Sequence, residues 1–244
     1  MNIADHLPLN PVPSDLWQAR FNELMRNPWL RKKYNREERI REKWAYVHDY
    51  CPELIADETG GPGHVVDVGP GPGEFLEIAR NFGHSVYGVD SPDGQGGMGC
   101  DYVELSRLMC WRQNIPVAYT GLIAYLDGLV DTQPEPPSAS LFNFQGAWAQ
   151  CWADHVDGEP HHIHHDVHKQ HWRFTPELHC KWVQAFRAMA KHLCHGGRIL
   201  IVANRLGDRP NQVEYDHAIC HAAEKAGLSL VLHEDTWIHK WEKV

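Results

Sequence analysis

The sequence predicts an α/β protein: a doubly wound, mostly parallel seven-stranded sheet with a terminal antiparallel hairpin and an N-terminal helical cap. Three observations lead there. Short runs such as His64-Val-Val-Asp-Val68 and Arg198-Ile-Leu-Ile-Val-Ala203 are nearly continuously apolar, as strands buried on both faces are. These runs alternate with helix-patterned segments, which parallel strands need for their crossovers. The last two runs, Leu228–His233 and Thr236–Trp241, are parted by Glu234 and Asp235 only, which leaves room for a hairpin and nothing longer.

The chain has 244 residues and a mass of 28.0 kDa, enough for one domain with a small appendage and a sizeable core. With 43% apolar and 23% charged residues it is not disordered throughout. No apolar stretch approaches the roughly 18 residues of a membrane span. The N-terminus lacks a basic region followed by an apolar one, so a cytoplasmic location is expected. Seven cysteines are dispersed without a Cys-x-x-Cys pair, which reads as reduced thiols rather than a disulfide frame or a zinc ribbon. The net charge of -9 argues against broad polyanion binding.

Taken in order, residues 1–56 read as the cap and 57–244 as the sheet domain. Prolines 8, 11 and 13 mark a loose arm. From Ser14 to about Ile55 apolar residues recur at helical spacings (Leu16, Phe21, Leu24, Met25, Leu30, Tyr34, Ile40, Trp44, Val47), and Pro28 divides the segment into two helices. Residues 26–43 hold eight Lys/Arg and three Glu, a local +5 that leaves the rest of the chain at -14. The first strand, 64–68, runs into Gly69-Pro-Gly-Pro-Gly73 and a helix from Glu74 to about Asn81. The second strand, 85–90, is followed by a glycine-rich loop and a helix from Tyr102 to about Gln113. A third strand, 116–120, and a short helix to Leu129 precede a proline-rich loop and a fourth strand, 140–144. Residues 149–175 form an insert without clear period. Pro176 then opens a helix with Leu178, Trp182, Phe186, Met189 and Leu193 on one side, ended by Gly196-Gly197 before the fifth strand. A helix over about Gln212–Ala226 leads to the final hairpin.

The motif that carries chemistry is Asp67-Val-Gly69-Pro70-Gly71-Pro72-Gly73, set between a strand and a helix. Glycines there let a ligand approach the backbone without Cβ interference, and the amides at the following helix start favour a polar or anionic ligand edge. A dinucleotide fingerprint would need glycine where Glu74 stands, and a phosphate-binding P-loop would need Gly-Lys-Ser/Thr, which is absent. What remains is D-x-G-x-G-x-G with a second acid, Asp90, ending the next strand, where a carboxylate accepts both hydroxyls of a ribose.

VVDVGPGPGEFLEIA, followed by HSVYGVD and GGRILIVA, resembles the Rossmann-like, class I S-adenosylmethionine-dependent methyltransferases over roughly residues 64–243. The resemblance implies an enzyme that uses S-adenosylmethionine. It implies a glycine loop cradling the methionine moiety (Asp67, Gly69, Pro70, Gly71, Gly73), Asp90 on the ribose, and the end of strand four (Asn143, Phe144, Gln145) lining the methyl-donor site. One departure stands out: the family often carries an acid after strand three near the adenine, and Tyr119-Thr120-Gly121-Leu122 has none. Adenine recognition is then expected from backbone and apolar contacts.

The 18 histidines are uneven, with seven between His155 and His171. In this fold the region after strand four contacts substrate. An imidazole there can deprotonate an acceptor hydroxyl, which singles out His155 and His165 as candidate catalytic residues. Imidazoles can equally hold a divalent metal, with Asp157, Glu159 and Asp166 nearby, or stand idle in a solvated loop. Trp148, Trp152 and Trp172 flank the segment as core or wall residues. The +5 stretch reads as an exposed helix of mixed charge, or as a lid meeting an anionic acceptor. The expected reaction is methyl transfer to a small-molecule or sugar hydroxyl. The alternatives are a tRNA, rRNA or protein methyltransferase docking through the basic helix, and a non-catalytic cofactor- or metal-binding relative.

Overall fold

The computed structural model describes residues 14–55, 63–90, 100–130, 138–145, 176–202, 212–234 and 238–244. The cap comprises three helices: α1 (Ser14–Leu24), α2 (Pro28–Lys33) and α3 (Arg36–Tyr50), closed by a 3₁₀ turn at Pro52–Leu54. The sheet domain continues as β1 (His64–Val68), α4 (Glu74–Asn81), β2 (Ser85–Asp90), α5 (Cys100–Arg112), β3 (Val117–Tyr119), α6 (Leu122–Val130) and β4 (Ala139–Gln145). It ends with α7 (Pro176–His192), β5 (Leu193–Val202), α8 (Gln212–Glu224), β6 (Leu228–Glu234) and β7 (Ile238–Lys243).

The seven strands form one sheet in the order β3-β2-β1-β4-β5-β7-β6. All pairings from β3 to β5 are parallel, and β7 runs antiparallel to both β5 and β6. The terminal hairpin forms one edge of the sheet, as the sequence predicts, with its second strand, β7, beside β5 and its first, β6, outermost. The turn is longer than the two residues expected, because Glu234 pairs with Ile238. The cap departs from expectation too. Pro28 opens a helix rather than merely dividing one, since Asn27 accepts from the amides of Trp29 and Leu30. A second cap, Asn35 accepting from Glu38 N, starts a third helix. The strand after α7 begins at Leu193, before the glycine pair, and a register shift against β4 between Ala139 and Leu141 absorbs Gly196-Gly197.

Period-two alternation sends successive side chains to opposite faces of the sheet. Val66, Val68, Phe142, Phe144, Ile199 and Ile201 face α6, α7 and α8, where Trp182, Phe186 and Met189 are buried. Val65, Leu141 and Leu200 face α3 and α4, meeting Val47, Phe75 and Leu76. Burial of each such large apolar side chain stabilises the fold by about 1.5–3 kcal/mol. By the same alternation Asp67 shares the face of Val65, and Asn143 that of Leu141. The register aligns Asp67, Asn143, Leu200 and Lys240 across four strands in one row beneath the cap. Two of the expected cap core residues lie outside: Leu16 and Trp44 are exposed, Trp44 stacking on Phe82 at 5.5 Å.

Candidate functional site

The glycine loop leaves the carboxyl end of β1 where β1 and β4 are neighbours and the crossovers on their two sides diverge, the usual ligand crevice of an open α/β sheet. Gly69, Gly71 and Gly73 all have positive φ (74°, 53° and 84°). At Gly73 the space is closed as well: a Cβ would stand 2.9 Å from Ile115 Cδ1 and 3.0 Å from Cys110 Sγ, so α5 packs directly on the loop. Gly71 is open by comparison. A Cβ there would meet only the Tyr102 hydroxyl at 3.4 Å and Arg39 Nη2 at 4.0 Å, which makes this the cradle-forming position. Loop polar groups are held from α5 and the turn after it, Cys110 Sγ donating to Gly71 O and Gln113 Nε2 to Pro72 O at 3.2 Å. Gly69 N donates to Val89 O at 2.8 Å. Pro70 is buried, its Cγ 3.0 Å from where a Cβ on Gly88 would stand, so its ring wedges the loop against β2.

Asp67 is buried behind the loop. Burial raises its carboxyl to about 7, with Asp90 and Glu74 adding to the rise while Lys43 and the Asn143 hydrogen bond oppose it. Asn143, fully buried in β4, donates Nδ2–H to Asp67 Oδ1 at 2.7 Å and accepts from the Tyr46 hydroxyl at 2.6 Å. Asp90 ends β2, half-buried and in register with Tyr119 of β3. Tyr119 carries the Arg107 guanidinium 4.4 Å above its ring, so an aromatic–cation pair stands beside the acid.

The cap contributes more than the sequence suggested. Arg36, Arg39, Lys43 and Tyr46 recur at three- and four-residue steps and so share one face of α3. Arg36 pairs with Glu77, and Arg39 holds the fully buried Glu74 through Nε–Oε1 at 2.6 Å and Nη2–Oε2 at 3.2 Å. Lys43 donates to Gln145 Oε1 and faces Asp67, and burial lowers its ammonium pKa. Arg41 pairs with Glu37 on the solvent side. Two of the eight cations in the +5 segment, Arg39 and Lys43, therefore turn inward onto the site, while Arg26, Arg31, Lys32 and Arg36 remain exposed. These inward residues were missed in the sequence. Their signal was present in the helical spacing of the cations and in Glu74 and Glu77, one turn apart directly after the glycine loop.

Of the residues expected to bind cofactor, the structure gathers Asp67, Gly69, Pro70, Gly71, Gly73, Asp90, Asn143 and Gln145 around the carboxyl ends of β1, β2 and β4. Phe144 is a correction: it points to the opposite face and is buried with Trp182 and Phe186, because it sits one residue out of phase with Asn143 and Gln145. His155 and His165, the insert of 149–175 with its metal-ligand candidates Asp157, Glu159 and Asp166, and Trp148, Trp152 and Trp172 lie outside the described residues. Among the described residues no group of three or more His, Cys, Asp or Glu is placed to hold a metal, and no helix is long and apolar enough to cross a membrane. Cys51, Cys110, Cys180, Cys194 and Cys220 form no disulfide with one another.

No protein-family model matches the chain, and no curated protein sequence matches it. Solved structures do resemble it in fold. One is a TehB-like S-adenosylmethionine-dependent methyltransferase from Corynebacterium glutamicum, at 13% identity and TM-score 0.46, with 85% of this chain and 97% of that one covered. Another is CalS10, an amino pentose methyltransferase of calicheamicin biosynthesis from Micromonospora echinaspora, solved with S-adenosylmethionine bound. It shows 13% identity and TM-score 0.47, with 86% and 98% covered. A third is a methyltransferase from Archaeoglobus fulgidus, at 17% identity and TM-score 0.42, with 78% and 71% covered.

Proposed function

We propose that this chain is an S-adenosylmethionine-dependent methyltransferase acting on a hydroxyl of a small molecule or sugar. The observation that carries the reading is the joint placement of the open glycine cradle at Gly71, the buried carboxylate of Asp67 behind it and the carboxylate of Asp90 at the end of the neighbouring strand. An adenosyl sulfonium compound offers a ribose diol and a cationic amino-acid end, and two carboxylates about a glycine loop are acceptors that suit both. When bound, that compound supplies an electrophilic methyl group. Asp90 accepts from the ribose hydroxyls, Asp67 faces the cationic end, and Tyr119 with its Arg107 partner walls the side next to Asp90. Gln145, held by Lys43, and the α3 face close the cradle from above. Alignment of the acceptor in this crevice provides most of the rate gain, and a histidine of the insert, His155 or His165, takes the hydroxyl proton.

Docking of a nucleic acid through the basic helix draws less support, because Arg39 and Lys43 are engaged with Glu74 and Gln145 inside the protein and Arg36 is paired with Glu77 at its surface. The deciding measurement is titration calorimetry of the full chain with S-adenosylmethionine. Saturable one-to-one binding, followed by S-adenosylhomocysteine formation with a hydroxylated acceptor, is expected. Absence of binding overturns the reading, and binding without turnover on any acceptor leaves a cofactor-binding protein. A steep salt dependence of RNA binding would instead favour the nucleic-acid acceptor.

A further inference from the structure

A directional chain of hydrogen bonds runs from the cap into the site. The Tyr46 hydroxyl donates to Asn143 Oδ1, and Asn143 Nδ2 donates to Asp67 Oδ1, at 2.6 and 2.7 Å with all three side chains buried. The direction matters because a carboxamide has one accepting end and one donating end. A phenol kept un-ionised by burial, as Tyr46 is, has a proton to give. With that proton on Asn143 Oδ1, the amide turns its nitrogen to Asp67. In the opposite orientation the amide oxygen would face a carboxylate oxygen, an arrangement tolerated only when Asp67 is protonated and itself the donor.

The groups facing Asp67 are few. Lys43 comes from α3, Glu74 from α4, Asp90 from β2 and Asn143 from β4, with the Cys51 thiol beside Tyr46 and the Cys110 thiol across on α5. Arg39 is already paired to Glu74, which leaves Lys43 as the cation acting on Asp67. A ligand cation completes that balance.

We propose that Tyr46 is a positioning residue of the cofactor site: acting through Asn143, it holds Asp67 as an ionised acceptor for the ammonium group at the amino-acid end of S-adenosylmethionine. This rests on the methyltransferase reading above. Removing the Tyr46 proton donor frees Asn143 to turn over and takes away a hydrogen bond that favours the ionised carboxylate. Because the Asp67 carboxyl titrates near neutrality, the loss registers as a displaced pH profile of binding.

The test is calorimetric affinity of the full chain for S-adenosylmethionine and for methylthioadenosine, which lacks the amino-acid end, between pH 5.5 and 8.5 as a working range of about three units around Asp67. Wild-type affinity for S-adenosylmethionine rises with pH through about 7, and that for methylthioadenosine stays flat. Tyr46→Phe moves the midpoint up by about one unit, so that S-adenosylmethionine binds about tenfold more weakly on the acid side of 7 and nearly as well at the alkaline end, leaving methylthioadenosine unchanged. In an Asn143→Leu background Tyr46→Phe adds no further displacement. Equal weakening of both ligands, or an unmoved midpoint, overturns the proposal. Should the variants not fold, the wild type still decides: the ¹³C carboxyl resonance of Asp67 titrates at lower pH once S-adenosylmethionine is bound, and an unmoved titration overturns the proposal. Wild-type protein that binds no S-adenosylmethionine refutes the underlying reading as well, whereas wild-type binding with an indifferent Tyr46→Phe refutes this inference only.

Discussion

Arg39 and Glu74 form a bidentate ion pair across the junction of cap and sheet domain, with the Glu74 carboxylate fully buried and the guanidinium at the edge of the Gly71 cradle. Glu74 occupies the position at which a dinucleotide-binding loop would have glycine. The first turn of α4 thus carries an anion of its own, neutralised by α3.

Arg39→Ala leaves that carboxylate buried without its partner and is expected to destabilise the chain by about 3 kcal/mol, the lower end for a broken buried pair. Urea denaturation measures it. Arg39→Met combined with Glu74→Leu should recover much of the loss, because an apolar pair of similar volume carries no desolvation cost. A double variant as unstable as Arg39→Ala would mean the loss comes from packing.

The two glycines differ in what surrounds them, and alanine should read that difference. Gly73→Ala adds a left-handed backbone cost of about 1–2 kcal/mol to an overlap with Ile115 and Cys110 worth about another 1–3 kcal/mol. Gly71→Ala meets only the strain, so its effect falls on ligand binding more than on stability. Thermal unfolding and calorimetry on both variants check the order.

Asp90→Ala should weaken S-adenosylmethionine about 10- to 100-fold, the worth of hydrogen bonds from two hydroxyls to one charged acceptor at about 1.5–3 kcal/mol in total. An unchanged dissociation constant would remove Asp90 from the ribose site.

Asp67 makes stability depend on pH in a definite direction. Its folded carboxyl sits at about 7 against about 3.9 unfolded, so between those values the folded chain holds a proton that the unfolded chain releases. The Asp67 contribution to stability is full below about pH 4 and is lost as pH rises through about 7. Urea curves of wild type and Asp67→Asn at acid, intermediate and neutral pH should show the variant gaining relative to wild type as pH rises. A parallel pair of profiles would contradict the raised carboxyl.

For the histidine insert, substituting the acting base by alanine should lower kcat by about 10²–10⁴-fold and abolish a lower limb of the kcat profile near pH 6.5. His155→Ala and His165→Ala are the variants to compare. If neither moves kcat, alignment alone accounts for the rate.

The sheet domain was largely legible in the sequence because its strands and helices punctuate themselves: HVVDV ends in a glycine run, Pro176 opens its helix, and the apolar runs give the face each residue takes. The errors have local physical causes. Asn27 and Asn35 are side-chain caps, and two caps in nine residues make two helix starts where the proline by itself indicates one. The glycine pair of β5 looked like a boundary and is an irregularity inside a strand, for glycine permits both. At the site, Asp67, Gly71 and Asp90 could be located from one motif and its spacing. Arg39, Lys43 and Tyr46 could not, because a cation on an amphipathic helix reads the same whether it meets water or a buried acid 35 residues further along the chain.

The row of Asp67, Asn143, Leu200 and Lys240 under the cap works as an alignment key. Tyr46 meets Asn143, while the next turn and the 3₁₀ segment beyond it, through Tyr50 O and Glu53, meet Lys240 at 2.7 to 2.8 Å. An apolar seam would let α3 slip by a residue or a turn at modest cost. Here every slipped position strands a buried amide, a carboxylate and an ammonium at once, so the helix that roofs the crevice has one seating, and the crevice inherits its shape from it.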